Sequence, residues 1–272
     1  MSGSEAAIPD RELLLDGATI VVISAAICMA SDQVVAMTLL VPAVIAARTV
    51  VWVGMHGRGA WRGEVVFLAI CTVLGGFNDW NTVVHHGVYA YTVPHFFPQL
   101  SSIPLWMLLY WGMILRFMFT LSRWRGLEPP VAPRDTVRLG RRRVHSAGVK
   151  VGLVLALVLV TRQCIYRTYD DPVLSWLPFL LAGALYLVLF PPARAELRLA
   201  ALTLVLGPAV EVLYIQVGGL HQYALGWIGG VPVWIAVWWV VAVWVWGDLG
   251  WRIHRAVAAS PAEVVVPRSA TA

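Results

Sequence analysis

The chain has 272 residues, of which 59% are hydrophobic and 13% charged, and its mean hydropathy is +0.74. A soluble globular protein is excluded, because a chain of this size cannot bury so much apolar surface in one core. The net charge of +5 comes from cations that flank the hydrophobic segments, which indicates membrane lipids rather than nucleic acid as the partner.

Eight apolar segments are long enough to cross a membrane, since a bilayer core of about 30 Å needs about 20 apolar residues in a helix. Their approximate bounds are 13–31, 34–54, 64–84, 103–121, 147–163, 172–191, 198–217 and 230–250. The sequence therefore predicts an all-α integral membrane protein with about eight transmembrane helices. The polar N-terminus lacks the features of a signal peptide, so we expect it to stay attached.

The basic residues predict the orientation, because cytoplasmic loops carry the excess of Lys and Arg. With eight spans and both termini in the cytoplasm, only Arg162 and Arg167 of the 20 Lys and Arg residues fall on the outer side. We therefore predict a multi-pass protein of the inner (plasma) membrane with both termini cytoplasmic. Lys150 is the single lysine, and this preference for Arg indicates a bacterium with a GC-rich genome.

A basic, proline-rich connection divides the chain. The predicted parts are a first four-helix half (1–125), a basic cytoplasmic loop (126–145), a second four-helix half (146–255) and a disordered tail (256–272). The Arg141-Arg142-Arg143 run in the loop fits a topology anchor at the inner leaflet, and an anionic lipid site is the alternative.

The two halves share a sequence pattern. Asp79 is followed 12 residues later by Tyr91, and Glu211 is followed 12 residues later by Tyr223; a Pro-x-Trp-x3-[Tyr/Trp]-Trp stretch then follows in each half. Halves with an even number of spans would be parallel repeats, related by an axis along the membrane normal. Asp79 and Glu211 would then lie at one depth, near the outer ends of their helices, and face each other across a central cavity.

Asp79 and Glu211 are the predicted catalytic residues. An ionisable side chain within a span is costly unless it is paired or hydrated, which makes it a functional candidate. Burial and a neighbouring carboxylate would keep one acid protonated and the other ionised, giving a proton donor and a proton acceptor. The structural alternatives are an interfacial acid for Asp79 and a hydrogen bond to another helix for Glu211.

Aromatic, histidine and amide side chains accompany the two acids. The rings fit either an aromatic belt at headgroup level or a pocket whose π faces stabilise a carbocation. The predicted substrate-binding residues are Tyr91, Tyr223, Trp80, Trp106, Trp234, His85, His221 and Asn81.

No metal or other cofactor is predicted. His85, His86, His95 and His221 could join the two acids in a metal site, but adjacent helical residues point about 100° apart and no HxxxH or HExxH spacing occurs. The three cysteines form no CxxC pair, and the chain has no phosphate loop, Rossmann fingerprint or nucleophile elbow. We expect interfacial hydrogen bonding from the histidines.

The outer loop after the fifth span carries both signs of charge, at Arg162, Arg167, Asp170 and Asp171. We expect a surface ion cluster there, and binding of a phosphate headgroup is the alternative.

The segment from Glu211 to Trp239 contains the acid, Gly218-Gly219, Tyr223, Val231-Pro232 and a Trp-rich helix. It resembles the last third of the integral membrane carotenoid hydratases of the bacterioruberin pathway. The two-acid arrangement is also similar in kind to the membrane-embedded terpene cyclases of meroterpenoid and indole-terpenoid pathways. The chain departs from those cyclases in its predicted span count, eight against seven, and in lacking their Asn-x-x-Trp-Glu motif. These resemblances imply acid–base chemistry on an isoprenoid.

The leading hypothesis is a membrane enzyme, of lyase or isomerase type, that cyclises or hydrates a lipid-soluble isoprenoid by protonation. One of Asp79 and Glu211 would be the general acid and the other the base. The alternatives are a proton-coupled transporter with an intramembrane carboxylate pair, and a non-catalytic pigment-binding or assembly protein.

Overall fold

The computed structural model describes residues 8–127 and 135–258. In these ranges the chain forms eight α-helices: α1 Asp10–Ala30, α2 Val34–His56, α3 Trp61–Trp80, α4 Leu105–Arg123, α5 Ala147–Ile165, α6 Leu177–Leu189, α7 Arg194–Gln216 and α8 Trp234–Ala258. Four short strands accompany them: β1 Tyr89–Tyr91, β2 Thr136–Leu139, β3 Arg142–His145 and β4 His221–Tyr223. A π-helical turn, Asn81–His85, extends α3.

Seven of the described helices are long and apolar enough to cross a membrane, and α6 with its 13 residues is shorter. At 1.5 Å per residue α6 covers about 20 Å. Its late start has a local cause: Asp171 Oδ1 accepts hydrogen bonds from the amides of Val173 (2.7 Å) and Leu174 (2.8 Å), which holds the preceding residues in turns. The mostly helical architecture, with several helices long and apolar enough to cross a membrane, is confirmed.

The outer surface of the helices is apolar. Leu39, Val50 and Val205, on two different helices, are each more than 60% exposed. Such side chains are costly in water and suit contact with lipid tails, which agrees with the composition.

The helices α3 and α4 pack against each other, and so do α7 and α8. Each pair meets at a glycine. A Cβ added at Gly75 would lie 2.8 Å from Cβ of Trp111, and one added at Gly207 would lie 2.3 Å from Cγ of Trp239. Gly75 and Gly207 are 132 residues apart, the same offset that separates Asp79 from Glu211.

The all-α prediction missed two antiparallel ribbons. Strand β1 pairs with β4, which joins the N-terminal and C-terminal parts of the chain, and β2 pairs with β3 as a hairpin. In the hairpin Arg138 lies opposite Arg143. Of the predicted loop at 126–145, residues 128–134 lie outside the described residues.

The end of the second four-helix half, predicted at residue 255, also lies too early in the chain. Helix α8 continues to Ala258, so residues 256–258, assigned to the disordered tail, are helical. The rest of that predicted tail, 259–272, lies outside the described residues.

A buried ionic cluster joins α1, α2, α3 and α4. The guanidinium Nε of Arg48 donates to Asp16 Oδ1 (2.6 Å), and Nε of Arg116 donates to Glu64 Oε1 (2.9 Å). Arg116 also lies 3.2 Å from Asp16 Oδ2 and 3.6 Å from Glu12 Oε2. From the sequence these arginines counted only as orientation signals; in the fold they neutralise carboxylates that are closed off from solvent.

Candidate active site

Asp79 lies one residue before the end of α3 and is fully buried. The hydroxyl of Tyr91 donates to its Oδ2 (2.8 Å), and the hydroxyl of Tyr89 donates to its Oδ1. Both tyrosines come from strand β1, 10 and 12 residues further along the chain. The two phenols donate to both oxygens of this buried carboxyl group.

Glu211, the repeat equivalent of Asp79, lies in α7 and is 9% exposed. Its Oε2 lies 2.9 Å from Nε2 of His221 and accepts a longer hydrogen bond from the hydroxyl of Tyr223 (3.4 Å). His221 and Tyr223 belong to β4 and again follow the acid by 10 and 12 residues. The two acids therefore have the same local architecture, except that His221 stands beside Glu211 where Tyr89 stands beside Asp79.

The β1–β4 ribbon brings these two arrangements together. Tyr89 pairs with Tyr223, Ala90 with Gln222 and Tyr91 with His221. The repeat offset of 132 maps residue 90 onto residue 222, so the ribbon is symmetric about its central pair. The ring centroids of Tyr89 and Tyr223 are 5.2 Å apart, and those of Tyr89 and His221 are 5.4 Å apart. Aromatic rings thus fill the space between the two carboxylates.

Burial, reinforced by the neighbouring carboxylates, raises the pKa of the phenols of Tyr89, Tyr91 and Tyr223 well above its usual value. They therefore remain neutral donors at physiological pH.

A cavity of about 120 Å³ lies beside the ribbon and has mostly apolar walls. Glu211 and His221 line it together with Tyr89 and Tyr91, and the indoles of Trp111 and Trp239 complete the aromatic wall; Asp79 does not line it. Glu211 is thus the acid that a molecule in this cavity would meet, and Asp79 stands behind the two tyrosines that donate to it.

Tyr110 and Tyr214 also line the cavity, and their hydroxyls form a hydrogen-bonded group with Ser24. The hydroxyls of Tyr110 and Tyr214 lie 2.6 Å apart, and Ser24 Oγ lies 2.7 Å from Tyr214 and 3.0 Å from Tyr110. Sequence patterns could not group these residues, because they come from three separate helices, α1, α4 and α7.

The other predicted substrate-binding residues are distributed around the site. Trp234 is buried, with its ring centroid 5.8 Å from that of Tyr223. Trp106 is fully buried in the core, and Asn81 donates to the hydroxyl of Tyr166 (2.8 Å). Trp80 and His85 are exposed and stack on each other, with centroids 6.2 Å apart. Neither Trp80 nor His85 lines the cavity.

The remaining histidines are also separate from the cavity. His86 stacks on Tyr166 with centroids 3.7 Å apart, and Nδ1 of His95 lies 3.3 Å from the carbonyl of Val93. Within residues 8–127 and 135–258, no three His, Cys, Asp or Glu side chains cluster closely enough to hold a metal ion.

Compared with known proteins, the chain matches no family model, no curated protein and no solved structure. The resemblance to carotenoid hydratases and terpene cyclases therefore stays a prediction.

Proposed function

We propose that this protein is a membrane enzyme that protonates a lipid-soluble isoprenoid and releases a cyclised or hydrated product. The observation that carries the proposal is a buried carboxylate, Glu211, on an aromatic-walled apolar cavity, with a second carboxylate, Asp79, behind the tyrosines of the same wall. An apolar cavity with few polar groups suits a hydrocarbon substrate.

The geometry favours Glu211 as the general acid. It lines the cavity, whereas Asp79 does not line it and accepts hydrogen bonds from two phenols. Glu211 would transfer its proton to a double bond, which leaves a carbocation on the substrate. General acid–base catalysis contributes about 10²–10⁴ in rate.

The cation would be stabilised by the π faces of Trp111 and Trp239, an interaction of about 2 kcal/mol in a desolvated site. Cyclisation forms a carbon–carbon bond and releases a proton; hydration adds a water oxygen and also releases a proton. In both cases that proton passes to Asp79 through the hydroxyl of Tyr89 or Tyr91. The proton then returns across the ribbon to Glu211, whose carboxyl group lies beside His221, and this return completes the cycle.

In this proposal the chain crosses the inner membrane eight times with both termini cytoplasmic. The distribution of basic residues supports this topology, with α6 and its preceding turns as the shortest crossing. The active site then lies near the outer surface, and the substrate enters from the surrounding lipid.

A proton-coupled transporter is the second candidate, and one observation favours it. Glu64 and Asp79 lie 15 residues apart on α3, so the ionic cluster and the active site form two buried polar layers about 22 Å apart. A transporter would connect these layers by a proton route.

The test is product formation by purified protein supplied with a pool of lipid-soluble isoprenoids and analysed by mass spectrometry. We expect a product of unchanged mass or one heavier by a water, lost in Asp79→Asn and in Glu211→Gln. Asp170→Asn, a change of an exposed acid in the outer loop, is the matched control and should keep activity. If no substrate is consumed, or if both variants match the wild type, the enzyme proposal is wrong. Proton-coupled flux in liposomes then tests the transporter, and retention of a pigment without turnover would indicate a binding protein.

A further inference from the structure

A second, smaller cavity adjoins the main cavity and shares part of its lining. It measures about 50 Å³, and it shares Tyr89, Trp111, Glu211 and Tyr223 with the main cavity. At about 10–15 Å³ per water molecule it has room for a group of a few heavy atoms. Unlike the main cavity, it has a cationic wall, formed by Arg162 of α5.

Arg162 is half-buried and its hydrogen bonds go to neutral oxygens. Its Nε donates to the hydroxyl of Tyr166 (2.6 Å), and Nη2 donates to Thr82 Oγ1 (2.6 Å) and to the carbonyl of Asn78 (3.2 Å). These bonds fix the plane of the guanidinium. Among the described residues no carboxylate pairs with Arg162, and its Nη1 has no hydrogen-bond acceptor. A held, partly desolvated cation with one open donor group is suited to an oxyanion.

Further polar and aromatic groups lie close to Arg162. His86 stacks on Tyr166, the ring to which Arg162 donates. Partial burial, reinforced by repulsion from His85 and Arg162, lowers the pKa of His86. Asn78 and Thr82 supply further polar atoms to the cavity wall.

We propose that the Arg162 cavity binds an oxyanion of phosphate type, and that this anion is the head of an amphipathic isoprenoid whose chain occupies the main cavity. The substrate-class part of this inference rests on the proposed function; the anion site itself does not. Glu211 also lines this cavity, so the anionic head would lie beside the proposed proton donor.

The experiment measures ligand-dependent thermal stability of the detergent-solubilised protein, since a ligand that binds only the folded state raises the unfolding temperature with its concentration. The probes are inorganic phosphate, a prenyl monophosphate and the prenyl alcohol of the same chain length. We expect the prenyl phosphate to bind at least tenfold more tightly than the alcohol. Binding of inorganic phosphate alone, without a gain from the chain, would keep the anion site but assign it to free phosphate rather than to the substrate head.

The variants separate this site from general effects of salt on stability. Arg162→Gln should weaken phosphate binding at least tenfold, and Arg162→Lys should restore part of it. Arg167→Gln removes an exposed cation of the same outer loop and is the matched control. Equal affinities in the wild type and in Arg162→Gln would overturn the proposal and leave Arg162 as a structural link between α3 and α5.

This readout needs no turnover. Asp79→Asn should abolish product formation while it keeps phosphate binding. Glu211→Gln should also abolish product formation, and it should not weaken phosphate binding, because it removes an acidic group from the cavity wall. If no product is found with any substrate but phosphate binding depends on Arg162, the proposed reaction fails and the anion site stands.

Discussion

Replacing Tyr91 by Phe tests the geometry of the site with a control inside the same chain. The change removes one hydroxyl whose oxygen lies 2.8 Å from Oδ2 of the fully buried Asp79. A hydrogen bond to a charged group contributes about 1.5–3 kcal/mol, and its loss leaves a buried acceptor without a partner. We expect Tyr91→Phe to lower the free energy of unfolding by about 2 kcal/mol.

Tyr223→Phe is the control, because Tyr223 is the repeat equivalent of Tyr91. Its hydroxyl lies 3.4 Å from Glu211 Oε2, beyond the usual range of about 2.5–3.0 Å for such a bond. Its removal should cost less than about 1 kcal/mol. Both changes delete the same atom from a tyrosine ring of the same ribbon, so the comparison tests mainly the hydrogen bond.

The assay is a denaturant titration of purified protein in mixed micelles, followed by tryptophan fluorescence. A double-mutant cycle of Tyr91→Phe with Asp79→Asn then measures the coupling between the two groups. If Tyr223→Phe destabilises as much as Tyr91→Phe, or if Tyr91 shows no coupling to Asp79, the assignment of Asp79 as a carboxylate held by phenol donors is refuted.

Three further predictions concern packing, the ionic cluster and pH. Gly75→Ala should lower the free energy of unfolding by about 1–3 kcal/mol, because the added Cβ would clash with Trp111. Gly152→Ala, which has open space around it, should be neutral or slightly stabilising. Equal effects of the two changes on unfolding would contradict this packing. Arg116→Met leaves buried carboxylates uncompensated, so it should lower the free energy of unfolding by about 3–5 kcal/mol or abolish folding. Comparing its expression level with that of Arg116→Lys checks this prediction. The pKa of His86 is lowered in the folded state. The stability due to its neutral form is therefore fully present above about pH 6.5 and is lost as the pH falls through the lowered pKa. His86→Asn should flatten the pH dependence of the free energy of unfolding between about pH 7 and 5, and an unchanged slope would contradict the assignment.

The repeat was the most informative feature that the sequence offered. The spacing from acid to tyrosine was visible in both halves, and it pointed to Asp79 with Tyr91 and to Glu211 with Tyr223, pairs that are hydrogen-bonded in the fold. The spacing is informative because the turn that follows each helix returns the strand beside the helix end. The same comparison could have found Gly75 and Gly207, which lie four residues before each acid.

Composition and periodicity by themselves determined that the chain is helical and apolar on its outside, because the lipid solvent acts on every segment locally. Composition and periodicity did not predict the short length of α6. Its start depends on a side-chain hydrogen bond from Asp171 that competes with the helix, and hydropathy does not register such a bond.

Only the tertiary structure decided which groups share a site. The ribbon that joins Tyr89 to Tyr223 connects residues 134 positions apart, and the pairing of Arg48 with Asp16 crosses between two helices. Sequence patterns report the period of one helix and its immediate turn, whereas contacts between distant segments depend on how all the helices pack together. For the same reason the sequence alone could name both acids but could not show that Glu211 faces the cavity and that Asp79 lies behind a pair of tyrosines.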